Sequence, residues 1–231
     1  MENYVPVAVV LSGGNHTFDC VESKLRALGI PTIGMSRGEY PSYEALRGEL
    51  ECITRQGNRV KYLIYSVPAD RKYENRTIDQ LTAEEWEEWK YFSVKYLYDV
   101  SRTFVKDMAE NGGGKMLMIG SVSGITPMKG QSLVGMASAG AFMAAKSIAA
   151  ELAKDNVVAE ALAIGVSEKG ASVRLTPSDR TLIRHIPSGR TMTDEETATE
   201  IVRRLTEMTY RTAGNVFAVD AGFSCSYMRE W

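Results

Sequence analysis

Residues 115–165 read KMLMIGSVSGITPMKGQSLVGMASAGAFMAAKSIAAELAKDNVVAEALAIG. Its apolar run Met116 to Ile119 is followed by a glycine- and serine-rich break and then by a helix-like segment rich in small residues. A second apolar run, Val157 to Ile164, ends at Gly165. Strand, loop, helix and strand over this length form a βαβ crossover, which predicts two parallel strands in one sheet. Ligands of such sheets bind off the carboxyl ends of the strands, so we expect any site between the first strand and the helix.

Further apolar runs and amphipathic segments extend this pattern in both directions. Short apolar runs bounded by turn residues predict buried parallel strands, and apolar residues at helical spacing predict the helices between them. The predicted strands outside the central stretch are Val5 to Leu11, Thr32 to Met35, Val60 to Tyr65 and a last strand from Val216. The predicted helices are Asp19 to Leu28, Ser42 to Arg55, Leu81 to Glu110, Met136 to Lys154 and Asp194 to Thr209.

Length, charge, cysteine spacing and apolar content limit the classes of protein to which the chain can belong. A length of 231 residues suits a single α/β domain over residues 1–231. With 27 Lys and Arg against 29 Asp and Glu, the charge gives no argument for binding nucleic acid. Cys20, Cys52 and Cys225 are widely spaced, and no group of His, Cys and carboxylate residues has metal-ligand spacing. Because the apolar runs are short, we expect no membrane span and a soluble, cytoplasmic protein.

The central stretch resembles the short-chain dehydrogenase/reductase family. In that family a strand ends in a catalytic Ser, and a long helix begins with Tyr-x-x-x-Lys and later reads Leu-Ala-x-Glu-Leu. Ser121 fits the Ser, and the run from Ser147 to Leu152 fits the end of the helix. The resemblance covers nearly the whole chain and implies a Rossmann-like doubly wound parallel sheet. Only about two dozen residues separate the second and third strands here, so about one βα unit of the usual fold is expected to be missing.

The same resemblance implies that the catalytic set has degenerated. Counting forward from Ser121 and back from Glu151 places Val134 at the Tyr position and Ser138 at the Lys position. The family's catalytic Asn falls at Ser93. The family's Tyr serves as the acid/base on the substrate oxygen, and Val134 has no proton to give. We therefore predict that these positions are not catalytically functional.

The phosphate-binding turn of the family also differs. Its three glycine positions hold Gly13, Thr17 and Asp19, so only the first remains a glycine. We interpret Asp19 as an acidic helix cap whose carboxylate lies where a pyrophosphate would bind. We therefore predict that this chain binds no nicotinamide cofactor.

The predicted function is that of a non-catalytic subunit. It would assemble with an active relative carrying NAD, most simply as a heterotetramer of two copies each. The two-subunit dehydrogenase acting on 2-[hydroxy(phenyl)methyl]succinyl-CoA in anaerobic toluene degradation pairs an active with a degenerate member of the family, and this chain is similar in kind to the degenerate one. Two alternatives remain: an atypical oxidoreductase that uses substituted residues, and a sensor that binds a small ligand in the emptied cleft.

Two regions are candidate subunit contacts. In the resembling family the long helices, here Leu81 to Glu110 and Met136 to Lys154, form one interface. Small residues would allow close helix packing there, although the same residues suit packing on the sheet; they are Ala137, Ala139, Gly140, Ala141, Ala144 and Ala145. The second is the last strand and its tail, where Phe223, Tyr227, Met228 and Trp231 are expected to act as apolar anchors.

Overall fold

A computed structural model describes residues 4–13, 15–68, 76–166 and 183–227 of the chain. Its strands are β1 (Val5–Ser12), β2 (Thr32–Ser36), β3 (Asn58–Ser66), β4 (Gly114–Ser121), β5 (Val157–Ile164) and β6 (Val216–Val219). Its helices are α1 (His16–Ala27), α2 (Tyr43–Arg55), α3 (residues 83–110), α4 (Ser132–Glu151), α5 (Asp194–Glu207) and α6 (Phe223–Tyr227). Short 3₁₀ turns occupy Ile78–Gln80, Val122–Gly124 and Ala153–Asp155.

The six strands form one parallel sheet in the order β2-β1-β3-β4-β5-β6. The central crossover is confirmed, because β4 and β5 pair in parallel over eight residues, from Gly114 opposite Val157 to Ser121 opposite Ile164. A single helix, α2, connects β2 to β3, as the short interval predicts. After β1 the chain adds β2 on one side of β1 and then crosses over to add β3 on the other side. The direction in which strands are added therefore reverses between β1 and β3. That switch point is where parallel sheets place their ligands.

Helices cover both faces of the sheet. On one face α2, α3 and α4 bury a core that includes Leu46, Phe104 and Phe142 together with every second residue of β1. On the other face α1 and α5 bury the alternate residues, with Phe18 and Ile201 among the largest. Because successive strand residues point to opposite faces, near-continuous apolar strands are what a sheet covered on both sides requires. The predicted single-domain, doubly wound α/β fold is therefore confirmed.

Helix α3 is continuous but not uniformly α-helical. The α-helical segments Ala83–Lys90, Tyr96–Val100 and Lys106–Glu110 alternate with π-helical turns at Tyr91–Lys95 and Ser101–Val105. Each π turn inserts an extra residue into the helix and so changes the angular position of the side chains that follow it. Trp89, Tyr96 and Phe104 are buried in the core, whereas Trp86 stacks on Trp89 and is 40% exposed.

Helix α4 is the core helix of the crossover and packs on β4 and β5. By length and composition alone α4 would suffice to cross a bilayer, a test that a buried core helix also passes. Half of its most apolar window is buried inside the protein. The small residues divide between two roles: Ala137, Ala141 and Ala145 are buried against the sheet, while Ala139 and Gly140 are exposed.

The position of Phe223 in the last helix differs from the expectation that it is an apolar anchor for another subunit. Phe223 is fully buried and packs with Val122 and Ile186, so it belongs to the core rather than to an exposed anchor. The Asp220 carboxylate accepts hydrogen bonds from the backbone N–H groups of Gly222 and Ser224, which fixes the start of α6. Met228, Trp231 and the side chain of Tyr227 lie outside what the structure describes.

A charged residue interrupts the apolar strand β5. Glu160 is completely buried between the sheet and α5, and neither of its carboxylate oxygens has a hydrogen-bond partner among the described residues. Arg204 Nη1 lies 3.7 Å from the nearer oxygen. Burial raises the pKa of Glu160, and the opposing effects of Thr212, Arg204 and Lys115 do not cancel it.

This environment predicts a pH-dependent contribution to stability. A carboxyl whose folded-state pKa is raised binds more protons in the folded than in the unfolded state. The free energy of unfolding therefore falls as pH rises from the ordinary carboxyl pKa, 4.5, through the raised value of Glu160. Wild type should accordingly lose stability relative to Glu160→Gln between pH 4.5 and pH 7.5. Urea unfolding across that range measures the difference.

The control is Glu151→Gln, which removes an exposed glutamate from the end of α4. A wild-type advantage over Glu160→Gln that stays constant or grows with pH would show that Glu160 is well solvated or well paired.

Candidate functional site at the carboxyl edge of the sheet

Two concave regions lie at the carboxyl edge of the sheet. The first, here called the α4 cleft, has a volume of about 210 Å³ and lies between the ends of β3, β4 and β5 and the start of α4. The second, here called the switch-point cavity, has a volume of about 590 Å³ and lies at the ends of β1, β2 and β3. Three of the degenerate catalytic positions, Ser121, Val134 and Ser138, line the α4 cleft together with Thr17 of the degenerate glycine turn.

Two glycines allow α4 to approach the end of β4. A Cβ on Gly120 would lie 2.9 Å from Ser138 Oγ, and one on Gly124 would lie 2.6 Å from Ser138 Cβ. The close packing buries Ser138 completely. Its hydroxyl accepts a hydrogen bond of 2.9 Å from the backbone N–H of Ser121. The residue at the Lys position therefore ties α4 to β4.

The hydroxyl of Ser121 is held by its own loop. Its Oγ accepts hydrogen bonds from the backbone N–H of Ser123 at 3.1 Å and from the Ser123 hydroxyl at 2.9 Å. Ser121 lines the α4 cleft together with Val134 and Ser138. Sequence counting thus placed three residues that the fold brings together. Nothing at the Tyr position can exchange a proton, because Val134 is apolar and only 5% exposed.

The fourth degenerate position is separate from the cleft. Ser93 lies in the first π turn of α3, is 4% exposed, and donates its hydroxyl hydrogen to the Trp89 carbonyl at 2.7 Å. It is not among the residues that line the α4 cleft. Its hydroxyl therefore serves the backbone of its own helix.

The start of α1 corrects the interpretation of Asp19. The helix begins at His16, three residues earlier than expected, and Asn15 is its cap, accepting a hydrogen bond from the Phe18 backbone N–H. Asp19 is exposed on the first turn and does not line the α4 cleft. It is thus well placed for the helix dipole but is neither the cap nor a block to a ligand. Gly13 is exposed and lines the switch-point cavity, and a Cβ there would meet nothing within 4 Å.

A different carboxylate reaches the glycine turn. Asp194, the first residue of α5, accepts a hydrogen bond of 2.5 Å from the Thr17 hydroxyl. Beside it, Glu195 forms an ion pair of 2.6 Å with Lys24 of α1. A helix N-terminus attracts phosphate through its free N–H groups and dipole, but a fixed carboxylate at the same place repels it. The arrangement of Asn15, Thr17 and Asp194 is therefore a poor fit to a pyrophosphate group.

Sequence reasoning missed Asp194 for a physical reason. The run Asp194-Glu195-Glu196 is accounted for by the N-terminus of α5, where acidic residues are favourable. Asp194 lies 177 positions from Thr17 in the chain. Only the packing of α5 on α1 reveals the contact.

The switch-point cavity has a different chemistry. Its wall includes Arg37, which follows β2, and the side chains of Tyr65 and Tyr96. Burial raises the pKa of Tyr65 far above its usual range and that of Tyr96 to about 12, so both phenols are neutral at physiological pH. Polar residues directly after parallel strands are a signal for a site, and that signal would have identified Arg37 from the sequence.

The described part of the α4 cleft offers hydroxyl groups and apolar walls but no proton donor and acceptor pair. The residues that the structure describes include no cluster of three His, Cys, Asp or Glu side chains able to hold a metal ion. The chemistry available among the described lining residues is hydrogen bonding by serine and threonine hydroxyls and by the Asn15 amide.

Comparison with known proteins identifies sequences that are similar to this chain. Residues 42–224 match the family model described as enoyl-(acyl carrier protein) reductase. The 3-oxoacyl-[acyl-carrier-protein] reductase FabG of Thermotoga maritima is 24% identical over 180 residues, which cover 78% of this chain and 72% of that protein. The FabG of Aggregatibacter actinomycetemcomitans is 29% identical over 143 residues, covering 62% and 59%.

Solved structures agree on the fold. A 3-ketoacyl-(acyl-carrier-protein) reductase from Brucella melitensis, complexed with NADH, superposes with a TM-score of 0.84 at 16% identity, covering 96% of this chain and 99% of that one. A short-chain dehydrogenase/reductase from Serratia marcescens gives a TM-score of 0.82 at 16% identity, with coverage of 97% and 100%. The family model spans most of the chain. The sheet, the crossover and the order of the helices also agree with the fold of that family. This protein therefore belongs to the short-chain dehydrogenase/reductase family.

Proposed function

We propose that this chain is a non-catalytic subunit that assembles with an active, NAD-dependent member of its family. The observation that carries the proposal is the content of the α4 cleft. Where the family's mechanism needs a proton donor, the cleft presents Val134, and where it needs a cation it presents the buried hydroxyl of Ser138. Ser121 is the one residue of the family's catalytic set that remains, and a hydroxyl without a base is a weak acid/base group.

The second support is the closed phosphate turn. Asp194 and Asn15 use the groups at the start of α1 that an incoming phosphate would need. In this proposal the chain binds no nicotinamide cofactor, and NAD is held by the partner. The relatives named above are reductases of 3-oxoacyl groups carried as thioesters, which favours a hydroxyacyl thioester such as a hydroxyacyl-CoA as the substrate of the complex. A cytoplasmic complex in aromatic hydrocarbon degradation is one setting for such a reaction.

The third support is an exposed apolar surface on two neighbouring helices, here called the α3–α4 face. It consists of Tyr91, Val94 and Tyr98 of α3 and Met136 and Met143 of α4, which are between 39% and 61% exposed. Ala139 and Gly140 lie on the outer side of α4 and allow another helix to come close. Exposed apolar groups of this kind on neighbouring helices favour association. We propose that this face contacts the partner in a heterotetramer with two copies of each chain.

The alternative with most support is an atypical oxidoreductase. All the named relatives are reductases or dehydrogenases by name, and Ser121 lines the α4 cleft at the carboxyl end of β4. This alternative requires cofactor binding despite Asp194 and a proton source other than residue 134. The two functions therefore differ in two measurable properties, nucleotide binding and turnover.

The first prediction concerns nucleotide binding. Wild type should show no binding of NADH or NADPH at concentrations up to about 1 mM, whereas the double variant Thr17→Gly with Asp194→Asn should bind more tightly because the carboxylate at the helix N-terminus is gone. Calorimetry or cofactor fluorescence measures both. Asp155→Asn, which changes an exposed carboxylate elsewhere, is the matched control. Micromolar binding by wild type would exclude the non-catalytic role, and a double variant with no gain would show that Asp194 is not the obstacle.

The second prediction concerns repair of the catalytic pair. Val134→Tyr with Ser138→Lys should not oxidise NADH or NADPH with acetoacetyl-CoA as substrate. The new Lys would be buried where Ser138 packs against Gly124, and the phosphate turn would still be closed. Circular dichroism must show that the variant is folded, and Val134→Tyr alone serves as the control. Turnover above that of wild type would mean that the cofactor site is intact.

The third prediction concerns assembly. Co-expression with the candidate partner dehydrogenase should give a complex on size-exclusion chromatography that contains both chains and has dehydrogenase activity. Val94→Glu with Met143→Glu should abolish co-elution, because two charges would be buried in the contact. The control is Leu28→Glu, since Leu28 is 60% exposed at the end of α1 and lies off the α3–α4 face. A soluble monomer that leaves the partner's activity and stability unchanged would refute the proposal.

A further inference from the structure

β2 forms one edge of the sheet, and among the described residues no strand pairs with its outer side. An edge strand presents backbone groups that can pair with another chain, and proteins commonly protect such edges with charged residues, proline or a bulge. The five residues of β2, Thr32–Ser36, include no charged residue and no proline, and their pairing with β1 is regular. This edge is therefore open to a further strand.

The register with β1 determines which backbone groups of β2 face outward. The Ala8 N–H donates to the Pro31 carbonyl, and Ala8 lies opposite Thr32. In a parallel ladder with this register, the N–H and C=O groups of Ile33 are directed at β1. Those of Thr32 and Gly34 are directed at the open edge, and Gly34 is exposed.

The turn after β2 uses the outward groups of the next residue in this series, Ser36. Its N–H donates to the Glu39 carboxylate at 3.3 Å, and its carbonyl accepts from the backbone N–H of Glu39. Among the described residues no group bonds to the outward N–H and C=O of Thr32 and Gly34. The open backbone groups therefore lie symmetrically on either side of Ile33.

A two-fold axis at Ile33 would pair all of these groups. Two copies of β2 then run antiparallel, with Thr32 of each copy opposite Gly34 of the other, and each such pair exchanges both of its N–H···O=C bonds. A shift of one residue would oppose an outward-directed residue to an inward-directed one. The Ile33 side chains, partly buried against the core under α2, would meet across the axis.

Charges on α1 match across the same axis, on the other face of the sheet. Glu22 covers Gly34, because its Oε1 lies 2.5 Å from the place of a Cβ on that glycine, and Glu22 forms an ion pair of 2.6 Å with Arg26. Since α1 runs antiparallel to the strands that it connects, Arg26 lies nearer the start of β2 than Glu22 does. The two-fold axis therefore brings Arg26 of each copy to the level of Glu22 of the other.

The Thr32 hydroxyl supports the same arrangement. Its oxygen is buried and has no hydrogen-bond partner among the described residues. In the paired strands Thr32 lies opposite Gly34 of the other copy, where the Glu22 carboxylate takes the place of a side chain. Rotation about the Thr32 Cα–Cβ bond would let the hydroxyl donate to that carboxylate. A second copy thus supplies a partner for a polar group that the single chain leaves without one.

We propose that two copies of this chain pair through β2 across a two-fold axis at Ile33, which joins their two sheets into one continuous sheet. The contact uses β2 and α1, whereas the α3–α4 face uses other elements, so it neither requires nor competes with the proposed non-catalytic role. In a complex with a partner dehydrogenase, it joins the two copies of this chain to each other.

The first test uses the full chain without a partner. Analytical ultracentrifugation from about 1 to 200 µM should show a dimer that dissociates on dilution. Ile33→Lys should weaken the dimer at least about tenfold, because two positive charges would meet at the axis. Amide exchange measured by NMR should show Thr32 and Gly34 protected in the dimer and unprotected on dilution, whereas Ile33, directed at β1, stays protected throughout.

The second test reverses charges. Glu22→Arg alone and Arg26→Glu alone should each weaken the dimer, because like charges would then face each other across the axis. An equal mixture of the two variants should recover it, since both contacts between copies are then between opposite charges. Native mass spectrometry identifies the mixed dimer. Lys106→Glu is the matched control, because it breaks an exposed pair of the same spacing, with Glu110 on α3, and should leave the dimer unchanged.

Four results would overturn the proposal. The first is a chain that remains monomeric at about 200 µM with unprotected Thr32 and Gly34 amides. The second is a mixture of the charge variants that does not recover the dimer. The third is loss of the lone-chain dimer in Val94→Glu with Met143→Glu, because the copies would then meet through the α3–α4 face. The fourth is protection of the Thr32 and Gly34 amides only in the complex with a partner dehydrogenase, which would assign the edge to a strand of that partner. Failure of assembly with the partner, by contrast, leaves the β2 dimer intact.

Discussion

The contact between α4 and the end of β4 is the constraint on which the rest of the carboxyl edge depends. It requires no side chain at Gly120 and Gly124 and a small one at Ser138. In return the helix buries Ala141 and Ala145 against the sheet and the Ser138 hydroxyl satisfies the Ser121 backbone N–H. Dense packing of this kind tolerates little added volume. The close contact that stabilises the crossover thus also removes the room in which a long cationic side chain would stand.

The α4 cleft and the switch-point cavity differ in how their polar groups are hydrogen-bonded. In the α4 cleft polar groups satisfy one another: Ser138 with Ser121, Ser123 with Ser121, and Thr17 with Asp194. In the switch-point cavity the Tyr65 and Tyr96 hydroxyls have no described hydrogen-bond partner, although both residues are almost completely buried. Hydrogen bonds between buried polar groups stabilise the folded chain. A buried polar group without a hydrogen-bond partner lowers stability unless a ligand provides one. The two regions therefore differ in whether their described polar groups are hydrogen-bonded within the protein.

Much of the fold could be predicted from the sequence because its strands are covered on both faces. β5 was predicted to the residue from Val157 to Ile164, and β1 within one residue, since apolar runs flanked by glycine leave little choice. The start of α1 was placed three residues late, because Asp19 and Asn15 are both good helix-terminal residues and only the backbone of Asn15 decides between them. The π turns of α3 and the Asp194–Thr17 contact have no local signal. They depend on neighbours far away in the chain.

The sequence assigned family positions to residues but could not show what surrounds them. Val134 and Ser138, assigned by counting from two anchors, line one cleft with Ser121, whereas Asp19, interpreted as the carboxylate at the phosphate turn, does not line that cleft. The carboxylate that closes the turn belongs to α5, a helix whose contacts with α1 also include the Lys24–Glu195 ion pair. The packing of α5 on α1 therefore also sets the charge at this turn. A carboxylate held at the start of α1 makes the binding of a pyrophosphate there less favourable, so the contact that stabilises the two helices acts against an anionic ligand.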